Sequence, residues 1–302
     1  MSRRGCQGRS HANGPATLTC TCLTQARLDS LLDFVTVTGS SLVFGLTISA
    51  DVNSSHTRAL LKHIHDVDSE QRVFGYEYGN EQEATLPRKT QAVQFLQLQK
   101  QLAILYADKP RAPVLIGPDT NGFGDAVTFL KQARDLGVSM HGITYHEYTT
   151  SVGSMREESL AKMRAASLSV AEQLWVGEAG GASGGGRPGL TDSYSSGLWW
   201  LPALGEKALS GHSVYCRQDL VGGDYGLLHD NHPWDVATVD SAAAEAKVLA
   251  RLDYWTALLF KRLMGDGVLV TKQQHGAAAA AGGRAGSALT PAPLLSYCHC
   301  SS

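Results

Sequence analysis

Val73-Phe-Gly-Tyr-Glu-Tyr-Gly-Asn-Glu81 is a short run of β-branched and aromatic residues that ends in glycine, asparagine and an acid. A buried parallel strand reads this way, apolar along its length and polar where it leaves the sheet. Outward from it the pattern recurs at Leu42–Ile48 (LVFGLTI), Pro113–Ile116 (PVLI), Val138–Tyr148 (VSMHGITYHEY), Leu174–Val176 (LWV) and Ser213–Leu220 (SVYCRQDL). Between these runs, apolar residues fall at helical spacing. The stripes are Leu60, Leu61 and Ile64; Val93, Leu96, Ile104 and Leu105; Phe129, Leu130 and Ala133; Leu160, Met163 and Leu168; and Leu198, Leu201 and Leu204. A last long helix is expected over about Ala242–Met264, with Leu249, Leu252, Trp255, Leu259 and Leu263 inward.

Repeated strand–helix units imply a parallel sheet with helices outside it. A doubly wound sheet and a barrel both satisfy that pattern, and the placement of polar residues separates them. Glu81, Asp119, His146, Glu178 and Gln218 each stand at or just after the C-terminal end of a different strand. Drawing chemistry from many strand ends is the habit of the (β/α)8 TIM-type barrel. A doubly wound sheet gathers its site at one switch point, usually beside a glycine-rich phosphate loop, and no GxGxxG follows the first strand here. The expected fold is therefore a TIM-type barrel, incomplete as written, with about six βα units visible.

The 302 residues are 43% hydrophobic and 18% charged, enough apolar material for a sizeable core. A net charge of -2 argues against a nucleic-acid binder, which would carry a basic face. No apolar run is long enough for a membrane-spanning helix. The N-terminus (MSRRGCQGRSHANGPATLTCTC) starts basic but develops no apolar stretch, so no signal peptide is expected as written. Residues 1–25 read as disordered, 26–266 as a partial barrel, and 276–302 as an Ala/Gly-rich tail. Of six cysteines, Cys6, Cys20, Cys22, Cys298 and Cys300 lie at the ends and Cys216 alone in the body, which gives no disulfide framework. The Cys-x-Cys pairs, even with His299 inside the second, are too closely spaced for an ordinary structural zinc site. No metal or cofactor is expected.

Two acids stand out. Glu81 ends Gly75-Tyr-Glu-Tyr-Gly-Asn-Glu81, and Glu178 ends Leu174-Trp-Val-Gly-Glu178 after a strand too apolar to hold an idle charge cheaply. Glycoside hydrolysis needs two carboxyl groups, about 5–5.5 Å apart when configuration is retained. Asn80 is placed to donate a hydrogen bond to a sugar 2-hydroxyl. A single Glu at a strand end is ordinarily a solvated loop acid; two, in these settings, suggest a pair. Glu77 lies inside its strand and Glu83 beyond its end, so both are set aside.

The chain from about Leu28 to Val270 resembles the heparanase family, the β-glucuronidase-type glycoside hydrolases of family 79. The resemblance rests on LVFGL, Tyr78-Gly-Asn-Glu81, Leu115-Ile-Gly-Pro-Asp119, Ile143-Thr-Tyr-His-Glu-Tyr148, Val176-Gly-Glu-Ala-Gly-Gly-Ala-Ser-Gly-Gly-Gly186, Cys216-Arg-Gln-Asp-Leu-Val-Gly-Gly-Asp-Tyr225 and Asp253-Tyr-Trp-Thr-Ala-Leu-Leu-Phe-Lys-Arg-Leu-Met-Gly265, in that order. It implies that Glu81 is the general acid/base, Glu178 the nucleophile and Asn80 a sugar ligand. It further implies that Tyr148 hydrogen-bonds Glu178, that His146 lines the cleft, and that Gln218, Gly223 and Tyr225 belong to a loop receiving a uronic-acid carboxylate.

The same resemblance makes the visible strands the third barrel strand onward and residues 267–275 the start of a β-sandwich. Departures bear on substrate. Gln82 stands where the family usually has proline, and Thr120-Asn-Gly-Phe123 lacks the animal enzyme's Gln and Arg. Arg88 and Lys89, read as a solvated helix start, and Arg187 are the few basic residues near the cleft. The expected substrate is a glucuronic-acid-bearing glycan, proteoglycan or arabinogalactan-like, cleaved by a retaining route. An inactive or merely carbohydrate-binding remnant and a neutral-sugar glycosidase are the alternatives. Family likeness implies an extracellular, lysosomal or vacuolar location, with which the sequon at Asn53 is compatible.

Overall fold

Six strands pair in chain order into one parallel sheet: β1 (Leu42–Leu46), β2 (Val73–Tyr78), β3 (Val114–Thr120), β4 (Met140–Tyr148), β5 (Ala171–Gly180) and β6 (Val214–Arg217). The computed structural model describes residues 23–47, 51–82, 84–149, 171–229, 248–265, 267–269 and 298–300. Helices α1 (Gln25–Val37), α2 (Ser55–Val67), α3 (Arg88–Leu105), α4 (Phe123–Asp135), α5 (Tyr194–Leu209) and α6 (Leu252–Leu263) alternate with or flank the strands. The order 1-2-3-4-5-6 decides the architecture. A doubly wound sheet reverses its strand order at a switch point. Steady addition in one direction keeps the crossover helices on one face and curls the sheet into a half-barrel.

Local signals start the helices. Thr24 caps α1 by accepting from the Arg27 N–H, and Ser54 caps α2 by accepting from Thr57. Helix–sheet packing buries Leu61, Ile64, Tyr76, Phe95, Leu98, Phe129, Leu130, Met140 and Ile143. Phe95 is central, meeting Tyr78 at 6.3 Å and Phe129 at 5.1 Å between ring centroids. Burial of one such ring is worth roughly 1.5–3 kcal/mol.

Several inward faces differ from the periodicity reading. On α3 the buried residues are Arg88, Gln91, Ala92, Phe95, Leu98 and Leu102, while Ile104 is exposed. On α5 the sheet side carries Trp199, Trp200 and Ala203, and Leu198 and Leu201 face outward. The larger aromatic surface wins that contest, with Trp200 stacked on Tyr215 at 4.9 Å. The last helix begins at Leu252 rather than Ala242, because Leu249 and Ala250 pair antiparallel with Leu228 and His229.

Of its five expected inward residues, Leu252 packs against Gly197 of α5, while Leu249, Trp255, Leu259 and Leu263 are exposed. An ion pair fixes this helix instead. Asp253 is its buried residue, holding Arg217 Nη2 at 2.7 Å and accepting from Ser196 Oγ at 2.7 Å. Cys298–Cys300, in the expected tail, pairs antiparallel with Gly267–Leu269. The helix expected around Leu160–Leu168, Glu83 and residues 1–22 lie outside the described residues.

Candidate active site

β4 sends Thr144, His146 and Tyr148 to one face, since alternate residues of a strand share a side. Tyr145 and Glu147 point the other way, to His212 at 2.9 Å and to Lys207 at 2.5 Å. Register irregularities fall at Gly117/Thr120, Tyr145/His146 and Val176/Ala179, the stretches that carry Asp119, His146 and Glu178. Such bulges re-aim side chains at barrel rims. Glu81 (φ 50°) and Asp119 (φ 59°) both adopt left-handed backbone, joined by a bond from the Glu81 N–H to Asp119 O at 2.8 Å. Each costs about 1–3 kcal/mol, strain that collects where function fixes geometry.

His146 stands at the centre, its side chain fully buried. Nδ1 lies 2.6 Å from Glu81 Oε1 and 3.6 Å from Glu178 Oε2, and Nε2 lies 2.6 Å from Asp119 Oδ1. Burial alone would lower its pKa, but the hydrogen bond and charge of Asp119, then Glu81 and Glu178, raise it to about 9. With a carboxyl oxygen within hydrogen-bonding distance of each ring nitrogen, the ring is an imidazolium donating twice. Glu81, His146 and Glu178 place ligand atoms within 4.8 Å of one another.

Tyr148 donates its hydroxyl to Glu178 Oε2 at 2.5 Å, and its ring stacks on Tyr225 at 6.5 Å. Burial and then the Glu178 bond push the phenol well above its ordinary pKa, so it stays a donor. Behind them, Thr144 Oγ1 donates to Glu77 at 2.6 Å and accepts from the Asp119 N–H at 2.9 Å. Burial and then the charge of Asp119 raise Glu77 to about 8. Gly177 makes room for this cluster: a Cβ there would meet Asp119 Oδ1 at 2.9 Å.

The loops beside β5 and β6 interlock. Gly223 has φ 53°, and a Cβ on it would strike Gly185 O at 2.4 Å, while the Asp224 N–H donates to that oxygen at 2.6 Å. Gln218 is tied by its N–H to Ala179 O, next to Glu178. Thus Glu81, His146, Glu178 and Tyr148 converge directly, and Tyr225 joins through Tyr148. Gln218 and Gly223 border the same strand ends through backbone contacts. Asn80 is exposed beside Glu81, its carbonyl accepting from Gln82 Nε2. Arg88 corrects the sequence reading: it is buried, its Nη1 donating to Gln91 Oε1 at 2.6 Å, while Lys89 is exposed.

Two residues gain importance here. The sequence places Asp119 at a strand end but gives it no partner, and sets Glu77 aside as lying inside its strand. Period-two spacing was the available signal. Thr144 lies two residues before His146, and Glu77 lies four before Glu81.

Residues 9–205 match the family described as Glycosyl hydrolase family 79, N-terminal domain. Heparanase-like protein 1 of Arabidopsis thaliana is 28% identical over 316 residues, covering 93% of this chain and 52% of that protein. Heparanase of Mus musculus is 26% identical over 275 residues, covering 82% and 48%. Baicalin-beta-D-glucuronidase of Scutellaria baicalensis is 28% identical over 186 residues, covering 56% and 32%. The chain thus spans about half the length, or less, of these relatives. Among solved structures, the GH39 enzyme from Xanthomonas axonopodis pv. citri superposes with TM-score 0.55 at 16% identity, covering 81% of this chain and 56% of that one. A GH39 β-xylosidase from Caulobacter crescentus gives 0.54 at 15%, covering 83% and 62%. At that identity the likeness speaks for the fold.

Proposed function

Because this chain belongs to glycosyl hydrolase family 79, we propose that it cleaves β-glucuronide linkages in a glycan by a retaining, two-step route. The observation that carries this reading is the approach of Glu81 and Glu178, whose oxygens come within 4.8 Å across His146. Retaining enzymes hold their carboxyl groups about 5–5.5 Å apart, whereas inverting enzymes leave about 6.5–9.5 Å for a water.

In the proposed first step a Glu178 oxygen attacks the anomeric carbon. The glycosidic bond breaks, and the leaving oxygen takes the proton of Glu81. In the second step water attacks the same carbon, its proton passes to Glu81, and the Glu178 carboxylate is released. Tyr148 holds Glu178 ready by donating to its reacting carboxylate. Asn80 is assigned to the sugar 2-hydroxyl beside the nucleophile. Gln218, Gly223 and Tyr225 are assigned to the uronic-acid carboxylate, since turn backbone amides recognise an anion without a mobile charge.

The relatives named heparanase and baicalin-β-D-glucuronidase support a glucuronic-acid-bearing substrate. An extracellular, lysosomal or vacuolar location belongs to the same proposal, and imaging of the tagged full-length gene product tests it. No helix among the described residues is long and apolar enough to cross a membrane.

The deciding experiment incubates the purified chain with chromogenic β-glucuronides, β-glucosides and α-arabinosides. A glucuronic-acid-configured cyclophellitol is added in parallel and the labelled peptide mapped. Glucuronide cleavage with label on Glu178 is expected. Cleavage of a neutral glycoside instead would reassign the substrate, and neither cleavage nor label would make the chain a non-catalytic member.

A further inference from the structure

We propose that Asp119 and His146 form a fixed ion-paired dyad that follows the negative charge as it moves from Glu178 to Glu81 during turnover, with Asp119 as the positioning residue. The inference rests on the reading of those two glutamates as the reacting pair and goes beyond it.

In the two-step route the pair carries one negative charge throughout, but its location changes. Before the first step the charge sits on Glu178; in the glycosyl-enzyme Glu178 is a neutral ester and Glu81 is the carboxylate. His146 Nδ1 stands between the two, 2.6 Å from Glu81 and 3.6 Å from Glu178. One cation can therefore interact with whichever oxygen is charged, and it keeps both of its own protons in both steps. No proton is relayed. The dyad instead lowers the work of moving charge across a buried site, as a preorganised dipole does.

Asp119 makes this possible. It has the one carboxylate oxygen at Nε2, 2.6 Å away, and is itself almost enclosed, with 12% of its side chain exposed. Its backbone N–H is held by Thr144, its carbonyl by the Glu81 N–H, and the missing side chain of Gly177 leaves space for Oδ1. An acid clamped from three directions is aimed, not incidental. The groups facing His146 are Glu77 and Glu81 from the β2 side, Asp119 from β3 and Glu178 from β5. Those around the ring are acids, and the hydrogen bonds and charges of Asp119, Glu81 and Glu178 outweigh burial to keep it protonated.

The test uses the full chain with 15N-labelled histidine, comparing wild type with D119N. In the wild type the His146 ring is expected to titrate well above the ordinary histidine range, and in D119N lower than in the wild type. On an aryl glucuronide, D119N should lower kcat by about 10- to 100-fold at neutral and alkaline pH, the worth of a hydrogen bond to a charged group, and least at acidic pH, where the variant's ring regains its proton. Its alkaline limb should move to lower pH while KM stays near the wild-type value. A wild-type His146 that titrates in the ordinary range overturns the dyad without any variant having to fold. A D119N enzyme slowed equally at every pH also overturns it, because that is the signature of a merely structural acid. An inactive wild type whose His146 still titrates high sinks the glycosidase reading and leaves the dyad standing as an ion pair, so the two failures are distinguishable.

Discussion

Tyr148 Oη lies 2.5 Å from Glu178 Oε2, and the same tyrosine ring stacks on Tyr225 at 6.5 Å. The strand that carries His146 therefore also orients the second carboxylate, and it ties that carboxylate to the loop after β6. Y148F removes the donor and keeps the ring. The expected result is a kcat lower by about 10- to 100-fold, as for loss of a hydrogen bond to a charged group, with KM little changed. Y148A, which also removes the stacking partner of Tyr225, should raise KM for glucuronides as well. Steady-state kinetics of the two variants separate the orienting bond from the loop contact.

Gly177 predicts a steric test. A methyl group there would sit 2.9 Å from Asp119 Oδ1 and 3.1 Å from Thr144 Cβ. G177A should cost about 1–3 kcal/mol of stability through overpacking. Activity should fall further than stability explains, because the displaced group is the partner of His146. Chemical denaturation and kcat measured on one preparation give both quantities. A fully active G177A would show that Asp119 moves aside freely.

Much of this was legible in the sequence, for definable reasons. Strands β1, β2 and β4 sit where their apolar runs place them because buried parallel strands have a plain composition. Glu81 and Glu178 were visible because acids at the ends of apolar strands are costly unless used. The faces of α5 and α6 were not legible. Trp199 and Trp200 outcompete the Leu198 and Leu201 stripe, and the Asp253–Arg217 pair turns α6 by a charge that no apolar period encodes. Asp119 was placed at a strand end, but its role stayed hidden, since that comes from a left-handed backbone and a partner 27 residues away.

On the outer face of β4, Glu147 meets Lys207 of α5 at 2.5 Å, with side chains 10% and 4% exposed. Removing one partner of a buried pair leaves an uncompensated charge, at a cost of about 3–5 kcal/mol. K207M should therefore unfold at clearly lower urea concentration than the wild type. K207M with E147L removes both charges and should recover most of that loss. If the single and double variants are equally unstable, packing around the lysine stem matters and the charge does not.

Stability should fall as pH rises through the neutral range, and Glu77 and His146 set the sign. Glu77 is raised from 4.5 to about 8 in the folded protein, so between those values the folded state holds a proton that the unfolded state has released. Where the folded state binds more protons, unfolding free energy decreases with pH. The Glu77 contribution is thus complete below about 4.5 and lost as pH climbs through 8. His146 behaves alike with a later window: its raised folded value of about 9 against 6.5 gives stability that is full below 6.5 and lost through 9. Thermal melts from pH 5 to 9 should show a declining Tm. E77Q keeps a neutral, hydrogen-bonding side chain at every pH, so its curve should be flatter between pH 5 and 8 and should lie above the wild type at pH 8. A wild-type Tm that rises over the same range would mean that Glu77 is ionised in the folded protein, with its Thr144 bond outweighing both burial and the charge of Asp119.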